Sequence, residues 1–277
     1  MIRHARVAAL GLAAAASVSL SSLAGCDAGK TESIGFDTFA LACNVAPNAP
    51  PQSLGLPGFY QKYLDAHGIP VVSSGAVADA ALVQACLAAL HMVDKRDDVR
   101  QAMIADGMHV AVIGTGEVTT DIPEYRDLYS AFPGIDWDQD RGVGATIQRP
   151  VSSAGEENLL CLAGDPHAGE SVTIQTFSSS VLLGLEAVER SYDNRLQDAL
   201  TSAMSEGKWA NTFAEMNTIA YFGEGVQDWF DANRQADPPD GIDNFVNTRE
   251  ELQQYDPTLA GLVAEVMPDT PWHPVCP

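Results

Sequence analysis

Apolar residues recur at helical spacing over residues 77–95, where Ala, Leu, Val, Cys and Met share one face, and the pattern predicts a helix. Residues 97–106 predict a second, shorter helix stopped by Gly107. An apolar run with two valines over 108–113 predicts a buried strand, with Thr119-Thr120-Asp121-Ile122-Pro123 breaking the pattern beyond it. Residues 193–206 predict a helix ended by Gly207, and residues 218–233 another, with Phe222, Val226 and Phe230 on one face. Thr248 followed three residues later by Glu251 has the spacing of a capping box, so a helix is expected to start there. Over 171–180 Val172, Ile174 and Thr176 alternate among serines, and propensity alone predicts a strand. Helices outnumber strands, which makes the expected class α+β and helix-rich. No repeat is visible, and globular patterning runs without a second linker from about residue 58 onward, which implies one domain over 58–277.

Composition narrows the choice of partners. The chain has 277 residues, 46% of them apolar and 19% charged, enough for one body of ordinary core size. Thirty-seven acidic against fifteen basic side chains give a net charge of −22, a field that repels phosphate backbones, so no nucleic acid partner is expected. Five cysteines is an odd number, and one of them needs a role outside intrachain pairing.

Residues 1–25 supply that role. Arg3 and Arg6 precede an apolar stretch of Ala, Leu, Val and Ser that contains no acid and is shorter than a membrane span. This layout predicts a secretory signal peptide. The stretch ends in Leu23-Ala24-Gly25-Cys26, which resembles a bacterial lipobox. The resemblance implies cleavage before Cys26, lipidation of its sulfur and amino group, and a membrane partner held through those acyl chains in the bacterial cell envelope. The mature chain would then carry thirteen basic and thirty-seven acidic side chains, a charge of −24. Residues 26–57, rich in Pro, Ala, Gly, Asn and Ser, read as a tether. The remaining Cys43, Cys86, Cys161 and Cys276 suit two disulfides in an oxidising compartment. Four cysteines allow three connectivities; the expected one is Cys43–Cys276, stapling the two ends, with Cys86–Cys161.

Several motifs fail on their own terms. Gly114-Thr115-Gly116 lacks the third glycine of a dinucleotide loop. Asp136, Asp138 and Asp140 have calcium-loop spacing, but Arg141 stands where the turn needs glycine and Ile147 where the clamp needs glutamate. There is no G-x-S-x-G elbow. Histidines 4, 67, 91, 109, 167 and 273 include no pair at helical spacing, and His91 reads as a structural residue on its helix.

One resemblance covers most of the globular part. Gly155-Glu156-Glu157-Asn158-Leu159-Leu160-Cys161, then Gly164-Asp165-Pro166 and Gly169-Glu170, resemble secreted zinc metallopeptidases of the gluzincin type, distantly similar to the anthrax lethal factor catalytic domain and to Pro-Pro endopeptidases. Further matching stretches lie at 60–70, 119–126, 141–146, 209–234 and 247–272. The resemblance implies a metallopeptidase-like (zincin-like) domain and a helix over 171–180, against the propensity. Active relatives carry H-E-x-x-H there, two zinc ligands and the general base. Here Gln175, Thr176 and Ser179 occupy those positions. Ala220 stands at the position of the third ligand and Phe213 at that of an oxyanion-stabilising tyrosine, while Glu224 matches a retained glutamate beside the site. The resemblance thus implies a scaffold without catalytic residues, metal or cofactor. The expected role is a pseudo-metallopeptidase that binds a peptide or protein without cutting it. The competing expectations are a hydrolase with a reassigned site built on Glu224 with Glu156 or Glu157, and a purely structural surface lipoprotein.

Overall fold

Strands β1 (Lys62–Ala66) and β2 (Ile69–Ser73) pair antiparallel in a computed structural model that describes residues 41–276. The signal segment and Cys26 lie outside the described residues. Ala66 pairs with Ile69, so the turn is His67-Gly68 alone, with φ of 52° and 94° as a two-residue hairpin turn requires. Helices α1 (Asp79–Val93) and α2 (Asp97–Ala105) then carry the chain to β3 (His109–Ile113), which lies parallel to β2. A long excursion leads to β4 (Val151–Gly155), parallel to β3. The sheet order is β1-β2-β3-β4. After β4 come α3 (Val172–Val188), α4 (Ser191–Ser205), α5 (Thr218–Trp229), α6 (Arg249–Tyr255) and α7 (Pro257–Val266). The helix-rich α+β class is as the pattern implied.

Alternation along the strands divides the core. Val71, Val110 and Val112 face the main cluster with α1, α2, α3 and α5, whereas Val72, Ala111, Ile113 and Val151 face a smaller one with Tyr60, Ile122, Tyr125 and Leu128. The predicted helices and the strand at 108–113 form within a few residues of their expected bounds, although α5 stops at Trp229. At α6 the Thr248 hydroxyl accepts from the Glu251 amide, 3.3 Å, but the Glu251 carboxylate takes the Asn247 amide, one residue earlier than a capping box requires.

The two readings of residues 171–180 are decided, and the disulfide pairing is corrected. Residues 171–180 open the long helix α3, as the resemblance implied and against the propensity: their hydroxyls bond to helix carbonyls and to β4, and packing outweighs propensity. The disulfides are Cys43–Cys86 and Cys161–Cys276, with Cα atoms 5.7 and 5.5 Å apart, so each terminal segment is stapled to the body and not to the other. The sequence separations of 43 and 115 residues correspond to about 4 and about 5 kcal/mol in the chain-entropy account. Cys43 is fully buried and Asn48 bridges to Tyr63, so the described part of the segment over 26–57 is tied to the body at these two residues. The two disulfides indicate an oxidising, extracytoplasmic compartment. Among the described residues no helix is long and apolar enough to cross a membrane.

Candidate functional site

The first turns of α3 are held against the sheet by polar side chains. The Asn158 carboxamide oxygen accepts from the Val172 amide at 2.9 Å and so caps the helix from outside it. Thr176 donates to the Ser153 carbonyl, 3.0 Å, and Ser152 to the Thr176 carbonyl, 3.1 Å. Beyond β4 the chain at 141–146 forms the outer edge: the Ser153 amide donates to the Val143 carbonyl, 2.9 Å, and the Ala145 amide to the Ser179 hydroxyl, 2.7 Å. That closeness requires glycine. A Cβ on Gly142 would meet Val172 at 2.2 Å, and one on Gly144 would meet Ser179 at 2.7 Å.

Helix α5 crosses close to α3 for the same reason. A Cβ on Gly223 would sit 3.2 Å from the Ser178 hydroxyl, and one on Gly225 would strike Leu259 of α7 at 2.7 Å. Asn217 caps α5 by accepting the Ala220 amide at 2.9 Å. Buried polar and aromatic side chains act as struts around this pair. Gln227 donates to the Ser171 carbonyl and Trp229 to the Pro268 carbonyl, while Trp209 and Tyr221 both donate to Asp256, which caps α7.

Between α3, α5 and the edge segment lies a groove of two adjoining cavities, about 230 and about 300 Å³, that share Asp140, Gly142, Gln175 and Phe213. The larger adds Thr176, Ser179 and Ala220; the smaller adds Glu224. All six positions singled out in the sequence thus meet in one groove. None of the five replaced ones offers an imidazole or carboxylate, and the Ser179 hydroxyl is already occupied by the Thr176 carbonyl and the Ala145 amide. Neutral hydroxyls, a carboxamide and a methyl do not fit a zinc ion, which takes imidazole, thiolate or carboxylate ligands. Among the described residues no group of three His, Cys, Asp or Glu side chains is arranged to hold a metal ion.

Acidic groups gather at the smaller cavity, and sequence reasoning missed most of them. His167 and Glu170 line it with Asp140 and Glu224. The His167 ring nitrogen Nδ1 lies 2.7 Å from Glu170, and that hydrogen bond raises the imidazole pKa. Burial raises Asp140. Glu224, 2% exposed, is pushed up to about 8 by burial, against one hydrogen bond from Asn233 to its Oε2 at 3.0 Å. The other proton of that Asn233 amide goes to Asp228, 2.9 Å, whose burial drives its pKa well up. The three-residue step from His167 to Glu170 is the sequence signal for this pair, and spacing between histidines alone does not show it.

The pairing of Glu224 with Glu156 or Glu157 is corrected. Glu156 accepts the Ala78 and Thr115 amides at 2.7 and 3.0 Å, and Glu157 is gripped by Arg141 at 2.5 and 2.9 Å. Neither lines the cavity of Glu224. At Gly114-Thr115 the amides a phosphate would need are bound to Glu117 and Glu156. Asp136 and Asp138 accept from Tyr129 and Thr120 and do not converge with Asp140. His91 stacks on Trp272, 4.2 Å between ring centroids, and burial lowers its pKa to about 4.

No protein-family model matches this chain, and no curated protein matches it. Among solved structures it is similar to the Pro-Pro endopeptidase PPEP-2 from Paenibacillus alvei, with 15% identity, 71% of this chain and 97% of that chain covered, and a TM-score of 0.48.

Proposed function

We propose that this protein is an extracytoplasmic, lipid-anchored pseudo-metallopeptidase that holds an extended peptide segment in the groove between α3 and α5 without cutting it. The observation that carries the reading is the convergence of Gln175, Thr176, Ser179, Phe213, Ala220 and Glu224 on one open groove, with the positions of zinc ligands and general base filled by groups unsuited to either task. Its rim supports it too: Ile219 and Ile242, about half exposed, flank a channel wide enough for side chains. The anchor is the lipid on Cys26, and the disulfides are those of an exported chain.

The test uses the purified mature protein and a randomised decapeptide pool. A subset of peptides is expected to be retained and recovered at unchanged mass, with retention lost in Ile219→Asp. Metal analysis is expected to find no stoichiometric zinc. Stoichiometric zinc or shortened peptides would overturn the absence of chemistry, and a pool that passes unretained would reduce the protein to a structural surface lipoprotein.

A further inference from the structure

The smaller cavity has a chemistry of its own. One wall is apolar, made by Val172, Phe213 and Ile242; the other carries Asp140, Glu170 and Glu224. Glu170 is already paired with His167, whose ring also acts on Asp140 from a distance, and neither Asp140 nor Glu224 has an ion pair of its own among the described residues. Asp140 accepts the Gly142 amide. Of the two Glu224 oxygens, Oε2 takes the Asn233 proton, and the side chain, 2% exposed, lines the cavity.

From this geometry we infer that the cavity is a subsite for a cationic side chain, arginine or lysine, whose aliphatic stem lies on Phe213, Val172 and Ile242 and whose head donates to Glu224 and Asp140. An amphipathic cation matches both walls, where a metal ion would match neither the apolar wall nor the spread of the carboxylates. The Phe213 ring adds a face on which a guanidinium can rest. The net charge of −22 draws cations toward the surface from a distance. Around Glu224 the facing groups are Asn233 and Arg234, which favour its ionised form, and Asp243 and Glu170, which oppose it. Burial outweighs them and keeps the empty site protonated up to about pH 8, so an arriving cation displaces that proton.

The inference rests on the peptide-binding reading only for the source of the cation, and the test separates the two. n-Butylguanidinium is titrated into the mature protein at pH 8 and followed through the His167 ring signals by NMR. In parallel, two decapeptide pools that differ only in arginine or citrulline at one fixed position are compared for retention. Saturable n-butylguanidinium binding is expected, weakened about tenfold in Glu224→Gln and in Asp140→Asn, with the arginine pool preferred. Thermal unfolding verifies that both variants fold, and the second variant decides the matter should the first not fold. Cation binding with no peptide retained upholds the subsite while the peptide reading fails. Equal retention of both pools with no n-butylguanidinium saturation, or saturation indifferent to both substitutions, overturns the subsite.

Discussion

Among the buried acidic side chains described, two neighbouring pairs are provided for in opposite ways. Glu156 and Glu157 follow β4 directly and are fully served: two backbone amides for the first, a two-pronged guanidinium for the second. Glu224 and Asp228 lie one turn apart on α5 and divide a single Asn233 amide between them, with Asp228 Oδ2 left unpartnered. The first pair joins α1, the turn after β3 and the edge segment into one unit, so its charges are structural. The second pair gains nothing comparable in return for its burial. Groups kept against the interest of stability mark a place where something else is at stake.

Removing the guanidinium is the most damaging way to probe this contrast. Arg141→Met strands Glu157, whose side chain is only 10% exposed, and is expected to cost about 3–5 kcal/mol in urea denaturation. A loss below about 1 kcal/mol would mean that the first pair is not glue. Glu156→Gln keeps one acceptor and loses the charge, with an expected cost of about 2 kcal/mol by the same measurement. The smallest effect has the opposite sign: Glu224→Gln should stabilise the protein by about 1 kcal/mol at pH 8. The sign follows from the raised pKa. The folded chain holds a proton on Glu224 that the unfolded chain releases above about 4.5, so stability declines as pH rises from about 4.5 to about 8 and levels off beyond. Glu224→Gln should flatten that decline, and an unchanged slope would remove Glu224 from the contrast. A variant that gains stability while losing cation binding separates a working group from a merely structural one.

Legibility in the sequence followed the length and purity of each pattern. Helices α1, α4 and α5 show clear periodicity, and β3 is a clean apolar run. Strands β1, β2 and β4 passed unread because each spans five residues and β1 and β4 dilute the signal with Lys62, Asp65, Ser152 and Ser153. Those serines are buried because their hydroxyls bond to α3 and to the edge segment, an arrangement no local pattern encodes. The site was half legible. Residues on α3 and α5 could be aligned with a motif, whereas Asp140, His167 and Glu170 enter the groove from loops, whose course depends on tertiary contacts. Disulfide connectivity was misjudged because sequence distance says nothing of which segment lies against which.

The loop that carries His167 and Glu170 is fastened twice. The Asn158 amide donates to Asp165 and to the His167 and Glu170 carbonyls, and the Cys161–Cys276 bridge ties its start to the far end of the described chain. The two bridges differ in the length of chain each one closes. Cys43 and Cys86 lie 43 residues apart, and their bridge needs only the first strands and helix α1 to be in place. Cys161 waits for a partner 115 residues behind it. The acidic end of the groove is therefore held by the bridge that closes the longer loop, and it depends on nearly the whole body for its position.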